Sequence, residues 1–203
     1  MKTIRVLLKN CILIFSIAMI SCSPKIAGNL TEKTKKVFYP QEADTAHIQF
    51  LTSYAKSTDI VAKQSAFNAS IVGEQEVFEI NKPYGIGIGN GKLYVCDLGL
   101  NTLQVIDLEN KKFDVIQPKL KKGYAQPINT FIAADGTIYL ANPLQRTISV
   151  YDTNMQYITE FGAEVNFRPI DLCIKNDKVY VADIANNRVN IFDTTTKELI
   201  GFF

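Results

Sequence analysis

Pro169-Ile170-Asp171-Leu172-Cys173-Ile174, then Asn176-Asp177, then Lys178-Val179-Tyr180-Val181-Ala182-Asp183, then Arg188-Val189-Asn190-Ile191-Phe192-Asp193 is the third copy of one pattern. The second copy runs Pro127-Ile128-Asn129-Thr130-Phe131-Ile132, Asp135-Gly136, Thr137-Ile138-Tyr139-Leu140-Ala141-Asn142 and Thr147-Ile148-Ser149-Val150-Tyr151-Asp152. The first runs Pro83-Tyr84-Gly85-Ile86-Gly87-Ile88, Asn90-Gly91, Lys92-Leu93-Tyr94-Val95-Cys96-Asp97 and Thr102-Leu103-Gln104-Val105-Ile106-Asp107. The leading prolines lie 44 and 42 residues apart, and the closing aspartates 45 and 41. A period in the forties made of short strands is the spacing of propeller blades.

Each copy reads as four strands. Asn90-Gly91 and Asp135-Gly136 are two-residue hairpin turns of the kind that need positive φ at both positions, and Asn176-Asp177 is a weaker version. The fourth strands, Phe113–Ile116, Tyr157–Phe161 and Glu198–Phe203, carry a poorer pattern, as outer strands facing solvent do. A short helix is expected within Thr58–Asn68. The expected fold class is therefore all-β: a β-propeller of four-stranded antiparallel blades.

The third copy, from Val179 through the Asn186-Asn187-Arg188 turn to Phe192, resembles the NHL-repeat family of β-propellers. The first copy keeps Asp97 and Asn101 but lacks the arginine. The second has Asn142 for the aspartate, follows it with Pro143 and brings Arg146 one position early. The resemblance covers about residues 82–203, and it implies a six-bladed propeller; upstream, Phe38-Tyr39-Pro40 and His47-Ile48-Gln49-Phe50-Leu51 resemble the lead-in of exported bacterial six-bladed propeller proteins. Three blades are expected, at about residues 82–123, 124–164 and 165–203. Residues 38–81 are expected to form N-terminal strands of a partial blade, with Val77–Ile80 and His47–Tyr54 among them. About three and a half blades are thus present of the expected six. Three explanations stand open: a piece of a longer product, closure as a four-bladed form, or pairing with a second copy.

Upstream, Lys2, Arg5 and Lys9 precede an apolar run from Cys11 to Ile20, the length of a signal-peptide core and too short for a transmembrane helix. Ser21-Cys22 then resembles a bacterial lipobox, which implies cleavage before Cys22 and lipidation of that residue. Residues 1–21 read as a lipoprotein signal peptide and residues 22–37 as a polar, lysine-rich tether. The expected place is the bacterial cell envelope, outside the cytoplasm, on the inner or outer membrane.

The chain has 22 basic and 20 acidic residues. Three of the basic ones precede Cys22, which leaves 19 against 20 and no footprint for nucleic acid. Lys119, Lys121 and Lys122 read as a solvated loop. Cys96 and Cys173 sit in apolar strands and are expected to be two buried thiols. The single histidine, His47, lies outside the repeats, so histidine-based acid–base chemistry and a multi-histidine metal site are not expected. Lyases similar to this fold use propeller histidines. An enzymatic reading, as a lyase or metal-dependent hydrolase, would place its key residues in further blades.

Asp97, Asn142 and Asp183 recur once per unit, as do Asp107, Asp152 and Asp193. Repetition favours turn caps over a single site. Asn129, Asp171 and Arg168 are the candidates for contact with a ligand at the channel mouth. The resulting expectation is a membrane-anchored binding or scaffolding module for a protein, small molecule or glycan, without catalysis or cofactor. Replacing Cys22→Ser should abolish palmitate incorporation and move the chain from the detergent phase to the aqueous phase on phase separation. Unchanged labelling would remove the anchor.

Overall fold

Alternating side chains on each repeat build a sheet with two apolar faces, and each face needs a neighbour. The computed structural model describes residues 37–39, 48–162 and 166–203; the signal segment, Cys22, most of the tether and His47 lie outside them. The chain divides into two units, Met1–Thr52 and Ser53–Phe203. In the first, β1 (Val37–Tyr39) pairs antiparallel with β2 (Ile48–Phe50).

The second unit holds three four-stranded antiparallel sheets. Blade 1 is β3 (Pro83–Gly89), β4 (Lys92–Asp97), β5 (Thr102–Asp107) and β6 (Lys112–Ile116). Blade 2 is β7 (Asn129–Ile132), β8 (Ile138–Asn142), β9 (Thr147–Tyr151) and β10 (Tyr157–Gly162). Blade 3 is β11 (Pro169–Lys175), β12 (Lys178–Asp183), β13 (Arg188–Asp193) and β14 (Leu199–Phe202). Each is a meander in sequence order, as expected for propeller blades. The first strands β3, β7 and β11 lie side by side as the inner wall.

Ahead of blade 1, the helix expected within Thr58–Asn68 divides into a 3-10 turn at Ser57–Asp59 and a helix α1 at Ala66–Val72. The Ser65 hydroxyl caps α1 by accepting from the Asn68 N–H at 3.2 Å. Residues 55–57 run antiparallel to 78–80 through a bridge at Lys56 and Glu79, with the Ser57 and Ile80 N–H groups donating to the Phe78 and Ala55 carbonyls.

Turn chemistry fixes the hairpins. Asn90 and Gly91 have φ of 53° and 72°, and Asn176 and Asp177 have 50° and 57°. The expected two-residue turn at Asp135-Gly136 does not form. Only Gly136 takes positive φ, at 87°. Its N–H donates to the Ala133 carbonyl and the Ala133 N–H to the Thr137 carbonyl, which makes a longer loop between β7 and β8.

Packing between blades forms the core. The front of blade 1 (Tyr94, Cys96, Leu103, Val105) meets the back of blade 2 (Ile132, Ile138, Leu140, Tyr151). The front of blade 2 (Tyr139, Ala141, Ile148, Val150) meets the back of blade 3 (Leu172, Val179, Val181, Phe192), with Phe161 and Phe167 closing the outer edge. The back of blade 1 (Val95, Ile106, Phe113) is covered by Ile60, Val61, Phe78 and Ile80. Of the repeated tyrosines, Tyr94 and Tyr139 are buried in blade-to-blade packing, whereas Tyr180, on the front of blade 3, is part-exposed. Cys96 is buried, and burial pushes its thiol up to about 12. Cys173 departs from expectation: it is free and exposed. Its equivalents Gly87 and Phe131 face a following blade, and among the described residues no sheet covers the front of blade 3.

The inner strands approach most closely at the alternating glycines of β3. A Cβ on Gly85 would collide with the Ile128 carbonyl oxygen and stand 2.5 Å from Asn129 Cα, both of them backbone. Gly85→Ala should therefore force blades 1 and 2 apart and lower stability by about 1–3 kcal/mol. Gly201 has open space around it. Gly201→Ala should stay within about 0.5 kcal/mol of the parent. Urea midpoints of the two variants measure the contrast, and equal midpoints would refute the close approach.

Candidate functional site

The residues at the end of each second strand are polar and buried, so their bonding decides whether they can do anything else. The Asp97 carboxylate accepts from the N–H groups of Asn81 (2.7 Å), Lys82 (3.0 Å), Gly99 (2.9 Å) and Leu100 (3.2 Å), and from Gln104 Nε2 at 3.1 Å. Asp183 accepts from the N–H groups of Arg168 (3.0 Å) and Ala185 (3.2 Å), from Asn186 Nδ2 (2.6 Å) and from Asn190 Nδ2 (3.1 Å). Asn142 donates through Nδ2 to Ser149 Oγ at 2.8 Å and to the Leu140 carbonyl at 3.1 Å. Asp97 and Asp183 thus tie the incoming chain, the turn and the third strand together, while Asn142 ties the second strand to the third. Asp107, Asp152 and Asp193 cap the next turns through N–H bonds from Asn110, Asn154 and Thr195, each at 2.8 Å.

Burial pushes the Asp97 and Asp183 carboxyls up, but the hydrogen bonds together outweigh it and hold both below the ordinary aspartate range.

The three expected ligand contacts fall in two places. Asn129 and Asp171 come together on the inner wall: Asn129 Nδ2 donates to Asp171 Oδ1 at 2.7 Å. Each also accepts from the next N–H, Thr130 onto Asn129 Oδ1 and Leu172 onto Asp171 Oδ1, both at 2.8 Å. A register shift between Pro169 and Asp171 in the β11–β12 ladder re-aims this part of the strand. With Gly85 at the equivalent position of blade 1, the row is bare on one side and polar on the other.

Arg168 lies elsewhere. It lines an open cleft of about 260 Å³ with Pro143, Leu144, Arg146, Asn166 and Phe167. The 142–146 turn and the 166–168 approach to blade 3 frame it. Asn186 Nδ2 fastens the floor by donating to the Asn166 carbonyl at 3.2 Å. Both arginines are exposed, while Phe167 is buried behind them. The cleft offers two guanidinium groups beside apolar wall, which suits a small anion attached to a hydrophobic or ring-shaped group. Among the described residues no three His, Cys, Asp or Glu side chains gather where a metal ion could be held.

Sequence reasoning singled out Arg168 but read Arg146 only as a turn irregularity. Arg146 has φ of 59°, and the turn that begins at Pro143 brings it to the cleft. The polar partners Gln104, Ser149 and Asn190 were also missed. Their signal was present: one buried polar residue seven positions after Asp97, Asn142 and Asp183, in strands otherwise apolar.

No family model matches the chain, and no curated protein matches it. Solved structures do. A virginiamycin B lyase from Staphylococcus aureus, in a catalytically inactive form with quinupristin, superposes with a TM-score of 0.51 at 19% identity, over 63% of this chain and 44% of that one. A streptogramin B lyase gives 0.51 at 14% identity, over 60% and 40%. A nidogen/laminin complex gives 0.50 at 16% identity, over 64% and 52%. These neighbours are β-propeller proteins, and the chain spans about half or less of their length. The class is thus settled as all-β, with four-stranded propeller blades.

The depressed carboxyls set an acid limit. Their folded pKa lies below the unfolded value of about 3.9, so their contribution is fully present above it and is lost as pH falls through the folded value. Urea midpoints should hold level from pH 7 to 5 and fall below about pH 4. Asp183→Asn should lower the midpoint at pH 7 and flatten the acid decline; an unchanged midpoint at pH 7 would show that the carboxylate does not hold the turn.

Proposed function

We propose that this chain is an extracytoplasmic β-propeller lipoprotein, held at the envelope membrane through Cys22, that binds a ligand bearing an acidic group. The observation that carries the binding reading is the cleft between the 142–146 turn and the 166–168 approach. It presents Arg146 and Arg168 to solvent, whereas the neighbouring Asp183 is fully engaged in holding the turn. The near-neutral balance of the mature chain makes this local pairing of cations a specific feature rather than part of a general basic surface. The space of about 260 Å³ fits one sugar-sized or amino-acid-sized group. An acidic sugar residue of a glycan has the matching chemistry: a carboxylate for a guanidinium and a ring face for the apolar wall.

The lyase reading has the likeness of fold to streptogramin B lyase behind it. It takes second place, because nothing in the described residues supplies an acid–base pair at the inner wall beyond the Asn129–Asp171 contact.

Thermal unfolding of the full chain with uronic acids, neutral hexoses and inorganic phosphate tests the cleft. An acidic sugar at 100 times its Kd should stabilise by about 2.7 kcal/mol, and a neutral hexose should not. The shift should vanish in Arg146→Ala/Arg168→Ala. No shift with any acidic sugar, or a shift that survives the double variant, would overturn this reading.

A further inference from the structure

Each blade passes from its second strand to its third through a turn of the same length, so residues 98–101, 143–146 and 184–187 compare position by position. In blades 1 and 3 the turn is fastened to the residue that leads into its own blade. The N–H groups of Lys82 and Arg168 donate to the Asp97 and Asp183 carboxylates, both at 3.0 Å. In return the Leu98 and Ile184 N–H groups donate to the Lys82 and Arg168 carbonyls, at 2.9 and 3.2 Å. The same carboxylates also accept from N–H groups inside the turns, those of Gly99 and Leu100 in blade 1 and of Ala185 in blade 3.

Blade 2 lacks both ties. Pro143 stands where Leu98 and Ile184 stand, and it has no N–H to give to the carbonyl of Gln126, the equivalent of Lys82 and Arg168. Asn142 stands where the aspartates stand. Its Nδ2 is turned to Ser149 and to the Leu140 carbonyl, and its Oδ1 is buried without a hydrogen-bond partner. No N–H of the turn or of the lead-in therefore donates to it. Among the described residues one link joins this turn to residues 124–126, from Gln145 Nε2 to the Tyr124 carbonyl at 3.3 Å.

The backbone adds a second contrast. The last position of each turn has positive φ: 54° at Asn101, 59° at Arg146 and 51° at Asn187. Asparagine accepts that region readily and arginine does so less. Blade 2 thus sets a cation at a strained position, on the turn with the fewest ties, and strain of this kind gathers at ligand clamps. The facing wall of the cleft is built the other way. Arg168 is bonded through both its N–H and its carbonyl, and Asn186 Nδ2 bridges Asp183 (2.6 Å) and the Asn166 carbonyl (3.2 Å).

We infer that Asn142 and Pro143 release the 143–146 turn as a hinged jaw, which carries Arg146 onto the anionic group of a ligand held at the fixed Arg168 wall. The inference rests on the reading of this cleft as the site for an acidic ligand. Asn142 is fully buried, so it acts through the turn as a positioning residue. A tied turn would hold the Arg146 backbone still. A released turn lets the guanidinium follow the ligand, and binding then orders the turn.

Backbone amide order parameters of the full chain in mild detergent test the jaw, with the sister turns as internal controls. Residues 144–146 should fall below about 0.6, against about 0.85 for residues 99–101 and 185–187. Saturating uronic acid should raise residues 144–146 to about 0.85 and leave the other two turns unchanged. Asn142→Asp/Pro143→Leu, which supplies the carboxylate and the N–H of blade 1, should order the turn without ligand. It should also weaken the Kd for the uronic acid about tenfold, because it holds the turn in a state that does not close. Pro143→Leu alone adds no buried charge and should give part of both effects. A 143–146 turn as ordered as its sisters, no rise on binding, or a double variant that binds as tightly as the parent would each overturn the jaw and leave the cleft as a rigid site. Absence of binding by the parent, with the order parameters as expected, would overturn the reading of the cleft instead, and the closing role with it.

Discussion

A propeller blade has no inside of its own. It is a single sheet with apolar side chains on both faces, and it becomes stable only where a second sheet removes water from between them. In this chain the contacts of blade 1 with blade 2 and of blade 2 with blade 3 hold most of the buried apolar residues. Everything else is arranged around them. The glycines of β3 let two inner strands touch, the edge phenylalanines seal the outer side, and the segment before blade 1 stands in for a preceding sheet. Repeat arrays of this kind gain stability from each neighbour contact in turn.

The polar residues answer a second need. A sheet that turns back on itself at short intervals leaves backbone N–H groups at every turn, and burial makes each orphan expensive. Asp97 and Asp183 gather these donors onto single carboxylates. The turns leave two polar features unused: the arginine-lined cleft and the Asn129–Asp171 pair.

Much of this was legible because the repeat reports itself. Strand positions and the packing role of Tyr94 and Tyr139 follow from a two-residue alternation repeated at a fixed period. The failures have local causes. Asp135-Gly136 has the composition of a tight turn, but only Gly136 takes positive φ and the loop closes between Ala133 and Thr137, which composition does not register. Cys173 reads as buried from its strand, yet its exposure depends on which sheet lies opposite, and a single strand does not encode its neighbour. Arg146 reaches the cleft through a left-handed turn residue following Pro143, a geometry that a shift of one residue in a motif only hints at. The cleft itself joins two segments some twenty residues apart, and only the fold brings them together.

The pairing of Asp97 with Gln104, Asn142 with Ser149 and Asp183 with Asn190 has a consequence for how errors in assembly are detected. A strand that slips by one residue turns its apolar side chains outward and is penalised at once. A slip by two keeps every apolar residue on its proper face, so hydrophobic burial alone hardly distinguishes the wrong alignment from the right one. The polar pair does distinguish them. The pairs are diagonal in the ladder, with Asp97 opposite Thr102 and Gln104 opposite Val95, so a displacement by two either brings the pair face to face or parts it further, and in both cases it changes the length of the turn whose Gly99 and Leu100 N–H groups the carboxylate binds. Each blade therefore carries one internal check on its own alignment, independent of the force that collapses it.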